Sequence, residues 1–206
     1  MNLSRRLFFL VSLSIPLFGA LTACSEKPAD ATASGFSSID ITGADYATNF
    51  SLTDHNGQAR TLADFKGKVV VIFFGFTQCP DVCPTSLGEL AQAKQLLGAD
   101  GDKLQGLFVS VDPERDTPEI MKAYMASFDP SFLALYTAPD ALPALTKSYR
   151  IYYKKVDGQT PTSYTMDHSA GSYVYDTQGR VRLYTRYGSG AQALAGDVKK
   201  LLDEAR

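Results

Sequence analysis

Six consecutive apolar residues, Val69-Val70-Val71-Ile72-Phe73-Phe74, constrain the fold of this 206-residue chain more than any other feature. A strand with one wet face alternates apolar and polar side chains, whereas an unbroken apolar run requires cover on both faces. Such a strand sits in the middle of an α/β sheet, with helices packed above and below it. Gly75-Phe76-Thr77-Gln78 then leads out of the run directly into Cys79-Pro80-Asp81-Val82-Cys83-Pro84. The two cysteines are thus expected at the end of a central strand.

The rest of the pattern extends this reading. Asn49 to Leu52 and Asp54-His55-Asn56-Gly57 read as a short strand and a polar turn. Leu87, Leu90, Ala91 and Leu97 give a helical apolar period over residues 85–97, and Leu107 to Val111 is a second buried strand. Thr117 as N-cap and Pro118 in the first turn open a helix running to about Phe128. A third helix is expected over 141–149, strands over 151–156, 172–176 and 181–187, and a last helix over 192–204. Asp176-Thr177-Gln178-Gly179 supplies a hairpin turn between the last two strands. This order is thioredoxin-like: an α/β fold with a central mixed sheet, flanking helices and an additional hairpin. Its domain is expected over residues 45–206.

The N-terminus follows a different logic. Arg5 and Arg6 precede an uncharged apolar stretch from Leu7 to Leu21, interrupted by Pro16 and short for a bilayer span. It ends in Leu21-Thr22-Ala23-Cys24, which resembles a bacterial lipobox. Residues 1–23 are therefore read as a lipoprotein signal peptide. Cys24 is read as the lipidated residue of the mature chain, anchored through more than one acyl chain. Residues 24–44, rich in Ala, Ser, Thr and Asp, read as a flexible tether. The expected place is a cell membrane, with the domain on its periplasmic or extracytoplasmic side. Without the leader's two arginines the chain has 18 basic and 22 acidic residues, a net charge of −4. No basic field exists to attract nucleic acid.

Of three cysteines, the leader accounts for one, leaving Cys79 and Cys83 in a compartment that oxidises thiols. They enclose only three residues, and a disulfide stabilises least across a short loop. Chemistry is the better explanation for the pair. A helix starting here would favour thiolates and lower their pKa. A separation of four residues places both sulfurs on one helical face, a spacing compatible with a disulfide or with two thiolates on one metal. Two thiolates and an imidazole form a soft three-coordinate set favouring Cu(I), with Cu(II) and Zn(II) as alternatives. The chain has two histidines. His55 lies in the polar turn and is expected to face solvent. His168 precedes the strand at Ser172, where thioredoxin-like folds carry a proline against their redox cysteines, and no proline follows Pro161 here.

Three motifs occur in order: Phe74-Gly75-Phe76-Thr77 before Cys79-Pro80-Asp81-Val82-Cys83-Pro84, then Val111-Asp112-Pro113-Glu114-Arg115-Asp116-Thr117-Pro118, then Asp167-His168-Ser169. In these the chain resembles the Sco/SenC family of copper-delivery proteins, from about residue 45 to the C-terminus. The resemblance implies copper held by Cys79, Cys83 and His168, and assembly of the binuclear copper centre of cytochrome c oxidase. The implied partners are the copper-bearing oxidase subunit and other copper chaperones or thiol reductants. It also implies thiol–disulfide reduction at Cys79 and Cys83 as a companion or alternative activity. Asp112 is weighed as lining the site or shaping the loop, Asp116 is read as structural, and Asp167 as a group that could orient His168. A peroxidase reading, with Thr77 and Arg115 near a reactive cysteine, shares the fold outline but does not use the second cysteine or His168.

Overall fold

The apolar run is the middle of an eight-stranded mixed sheet. The computed structural model describes residues 35–160 and 163–205, so the leader, Cys24 and the first part of the tether lie outside the described residues. In chain order the elements are β1 (Ile39–Asp40), β2 (Leu52–Asp54), β3 (Ala59–Arg60), β4 (Val69–Gly75), α1 (Val82–Leu96), β5 (Leu104–Ser110), α2 (Pro118–Ala126), β6 (Leu133–Tyr136), α3 (Leu142–Ser148), β7 (Tyr153–Asp157), β8 (Tyr164–His168), β9 (Ser172–Tyr175), β10 (Val181–Thr185) and α4 (Ala191–Asp203). The sheet order is β1-β10-β9-β4-β5-β6-β2-β3, and β7 with β8 forms a separate two-stranded ribbon.

All seven residues of β4 and all seven of β5 are buried, and the two pair in parallel from Val69↔Leu104 to Gly75↔Ser110. β6 continues the parallel set, while β9 runs antiparallel to β4 on its other side. Parallel strands must be joined by crossovers, and α1 and α2 supply them. Helices α1 and α4 pack on each other, α4 also meets β4, and α2 lies against β6. Phe73, Phe74, Phe108, Leu107 and Leu87 are each at most 1% exposed. Each such side chain contributes about 1.5–3 kcal/mol on burial.

Two expected boundaries move. The sequence places the domain's start near Asp45, whereas the fold already includes Phe36 to Asp40: β1 pairs with β10, and Phe36 is buried. Buried Asp197 on α4 explains this, because its two carboxylate oxygens accept the Ser37 and Ser38 N–H groups at 2.8 Å each. Polar, Ser-rich sequence hides that attachment. Residues 164–168, outside the expected strands, form β8, whose strand partner among the described residues is β7. The turn at 176–179 forms as expected, with Gly179 at φ 79° and Asp176 accepting the Gln178 and Arg180 N–H groups at 3.0 Å.

Candidate metal centre

The end of β4 sets the position of both sulfurs. The backbone turns after Phe76, where the Cys79 N–H donates to the Phe76 carbonyl at 3.2 Å, and α1 begins at Val82. Pro84 falls within the first helical turn, where a missing N–H leaves no bond unmade. The Cys83 N–H, one of the donors a helix start leaves free, donates to Cys79 Sγ at 3.4 Å. Cys83 is fully buried and Cys79 half-buried, and no disulfide joins them. The Cys83 sulfur lies against the backbone of β4: a Cβ on Gly75 would fall 2.7 Å from it. Only glycine admits the thiol there.

The expected thiolate-favouring helix start does not decide the state of Cys83. Burial pushes its thiol well above the ordinary range, and its hydrogen bond with Cys79 adds to that. The backbone hydrogen bond from Phe76 opposes the shift without overcoming it. At full burial, the loss of solvation outweighs the helix dipole. Unless a cation enters, Cys83 is a neutral thiol.

His168 closes the constellation from the separate ribbon. It ends β8, and its Nε2 lies 3.5 Å from Cys83 Sγ. Its Nδ1 lies 2.9 Å from the Ser169 carbonyl, a bond that requires Nδ1–H as donor. That fixes the tautomer and leaves the Nε2 lone pair facing the sulfurs. The edges of Phe73 and Phe76 flank the ring, with centroids 5.9 and 5.8 Å away. Burial lowers the imidazole pKa, which favours the neutral form, the one that can donate its lone pair. The ligand atoms of Cys79, Cys83 and His168 all lie within 4.8 Å of one another. Two sulfurs and one imidazole nitrogen thus converge on a space of metal-site size.

The neighbouring acids separate into different roles. Asp116, buried, accepts from Thr77 Oγ1 and Ser110 Oγ at 2.6 Å each, tying the cysteine loop to the end of β5. Asp112, also buried, pairs with Arg115 Nε at 2.5 Å and accepts from the Tyr164 hydroxyl at 2.8 Å. Both act on the loops that frame the sulfurs. Asp167 is exposed, and the hydrogen bond that orients His168 goes to the Ser169 carbonyl instead. His55 is half-buried rather than facing solvent: its Nδ1 accepts the Ala134 N–H at 3.1 Å, which fastens the turn after β2 to β6. Thr77 bonds to Asp116, and Arg115 to Asp112, Gln78 and the Tyr164 carbonyl, rather than to the sulfurs.

Some relevant residues escape a sequence reading. Gly75 looks like an ordinary strand end, and its necessity appears only beside Cys83. Tyr124, on α2, has a buried hydroxyl without a hydrogen-bond partner among the described residues, and burial pushes its pKa up. At helical spacing that tyrosine reads as core.

The family model described as SCO1/SenC matches residues 40–203. The mitochondrial SCO2 homolog of Bos taurus is 40% identical over 147 residues, covering 70% of this chain and 54% of that protein. The chain spans 54% to 65% of the length of that relative, its Mus musculus counterpart and a Rickettsia felis SCO2-like protein. Among solved structures, Bradyrhizobium japonicum ScoI with copper bound is 45% identical with a TM-score of 0.68, covering 74% of this chain and 97% of that one. Apo Sco1 from Thermus thermophilus is 34% identical with a TM-score of 0.70, covering 83% and 97%.

Proposed function

Because this chain belongs to the SCO1/SenC family, we propose that it is a membrane-anchored copper carrier that helps build the binuclear copper centre of cytochrome c oxidase. One observation carries the reading: Cys79 Sγ, Cys83 Sγ and a His168 nitrogen lie within 4.8 Å of one another. The donor set fits the cargo. Two soft sulfurs and one imidazole suit Cu(I), and Cu(II) can use the same three atoms. Copper entry displaces the thiol protons, which overcomes the cost of a charged sulfur at buried Cys83. Cys79 is the more exposed sulfur and so the point at which a recipient's own ligand can first reach the metal.

The fold also suits delivery at a membrane. β1 is antiparallel to β10, β10 to β9 and β9 to β4, so β1 runs antiparallel to β4. The chain therefore enters the domain at the sheet edge where β4 delivers the cysteines. Eleven steps separate Cys24 from Gly35, at most roughly 40 Å of fully extended chain. A lipid on Cys24 would keep Gly35 within that reach of the bilayer and raise the domain's effective concentration toward a membrane-bound recipient. No helix among the described residues is long and apolar enough to cross a membrane.

The deciding experiment is a Cu(I) titration of the reduced protein, wild type against Cys79→Ser, Cys83→Ser and His168→Ala. Each replacement should weaken copper binding sharply, while His168→Ala still forms the Cys79–Cys83 disulfide under oxidant. Unchanged affinity in His168→Ala removes that residue from the site. Cys24→Ser should move the protein out of the membrane fraction.

A second reading rests on the different exposure of the two sulfurs. Cys79, half-exposed, can attack a partner's disulfide as thiolate and form a mixed disulfide, releasing one partner thiol. Cys83 then attacks Cys79, closes the internal disulfide and releases the second thiol. Both electrons pass to the partner. The same sulfurs cannot do this while holding copper. An oxidase defect in a deletion strain that copper corrects favours delivery; correction only by a thiol reductant favours exchange.

A further inference from the structure

His168 reaches the sulfurs from a ribbon that belongs to no other sheet, and a two-stranded ribbon has little stability of its own. An open cleft of about 180 Å³ separates part of the ribbon from the body, lined by Asp112, Glu114 and Leu142 on one side and Tyr153, Lys155 and Met166 on the other. What holds the ribbon on this side is a polar and aromatic cluster centred on Arg115. The Arg115 guanidinium lies 3.5 Å from the centre of the Tyr164 ring, and Lys155 Nζ lies 3.8 Å from the same centre. Arg115 Nε donates to Asp112 at 2.5 Å. Its Nη1 donates to the Tyr164 carbonyl at 2.9 Å and to Gln78 Oε1 at 3.0 Å. The Tyr164 hydroxyl closes the circuit on Asp112 at 2.8 Å.

The placement of these partners matters more than their number. Gln78 immediately precedes Cys79, and Tyr164 opens the five-residue strand that His168 ends. One nitrogen of one side chain therefore bridges the cysteine loop to the histidine strand. A strand rises about 3.3 Å per residue, so His168 sits at the end of a stiff arm of roughly 13 Å whose base Arg115 grips. Metal sites tolerate only about 0.5 Å of misplacement. We propose that Arg115 and Tyr164 form a clamp that positions His168 against Cys79 and Cys83, so that the three-ligand site exists only while the ribbon is latched to the cysteine loop. Lysine cannot substitute for Arg115, since a point charge lacks the fork that reaches Asp112, Gln78 and Tyr164 together.

The clamp deepens the copper reading and rests on it for its metal-binding consequence, but its mechanical part is testable without metal. In the reduced, metal-free protein, Arg115→Ala should speed amide exchange across β7 and β8 by about tenfold or more and leave β4 and β5 protected. With Cu(I), it should lower affinity by about 10–100-fold, the usual effect of removing a ligand's support. In a His168→Ala background the same replacement should cost almost nothing further, because the two act through one ligand. Arg115→Lys should behave like Arg115→Ala. Unchanged exchange in the ribbon, or full additivity with His168→Ala, overturns the clamp. If Arg115→Ala does not fold, exposed Gln78→Ala cuts the same bridge, and an unaltered ribbon exchange rate and copper affinity in that variant overturn the proposal equally. If wild-type protein binds no copper, the copper reading fails, while the exchange measurements still judge the clamp.

Discussion

Adding one methyl group at Gly75 tests whether the backbone of β4 sets the geometry of the sulfurs. A Cβ there would lie 2.7 Å from Cys83 Sγ and 2.9 Å from both Phe108 and Phe73. Ordinary contact begins at about 3.4 Å, so the sulfur must retreat by roughly 0.7 Å and each ring by roughly 0.5 Å, or the β4 backbone must shift. The rings have little freedom, since Phe108 and Phe73 are 0% and 1% exposed in a close-packed core. Overpacking of this kind costs about 1–3 kcal/mol. For a chain of this size that corresponds to a fall in Tm of roughly 2–12 °C. A displacement near 0.7 Å also exceeds the roughly 0.5 Å that a metal site tolerates, so copper affinity should fall together with stability. Gly75→Ala should be examined by thermal unfolding of the metal-free protein and by Cu(I) competition titration. A variant with wild-type Tm and wild-type affinity refutes the reasoning. A variant with lowered Tm but unchanged affinity shows that the phenylalanines yield and that the sulfur's position does not depend on Gly75.

The remaining predictions concern the frame around the site. Alkylation of the reduced protein should modify half-exposed Cys79 on the order of tenfold faster than buried Cys83, read by peptide mass spectrometry; equal rates contradict the packing of Cys83. Asp197→Asn leaves one oxygen to serve both Ser37 and Ser38 N–H groups, so stability should fall by about 1–3 kcal/mol in urea unfolding, and cleavage near residue 36 should appear in limited proteolysis. Burial pushes the Asp54 carboxyl up, but the Gln58 N–H, Arg60 and the Asn56 N–H overcome this and hold its pKa below the usual carboxylate range. Asp176 is likewise raised by burial and then lowered further by the Arg180 side chain and the Arg180 and Gln178 N–H groups. A carboxylate lowered in the folded state stabilises above its unfolded pKa near 4, and that contribution is lost as pH falls through the folded value. Asp54→Asn and Asp176→Asn should therefore flatten the loss of stability between about pH 5 and 2 in urea titrations. An unchanged slope contradicts the assignment.

Much of the architecture was legible because it depends on local patterns. The apolar run at 69–74, the N-cap and proline at Thr117 and Pro118, and the Asp-Thr-Gln-Gly turn each state their own structure. The edge strands β1 and β3 and the inner strand β6 have two to four residues, too few for periodicity to register. β8 eluded the pattern because its inward face, Tyr164, Met166 and His168, alternates over only five residues. The candidate site divided in the same way. Cys79 and Cys83 announce themselves by spacing, but His168 joins them only by resemblance, since 85 positions separate it from Cys83.

By itself the sequence determined that two cysteines stand at the end of a doubly buried strand, because hydrophobic periodicity and short-range spacing are local properties. Only the tertiary structure decided the state and company of those sulfurs. Burial of Cys83 raises its pKa against the helix start that would lower it, since desolvation depends on every neighbour rather than on the residue's place in a helix. The Nε2 of His168 and the arginine that grips the ribbon are set by contacts between segments far apart in the chain, and the glycine that admits Cys83 by how β4 and α1 pack. Those contacts exist only after the sheet and the ribbon have closed on each other.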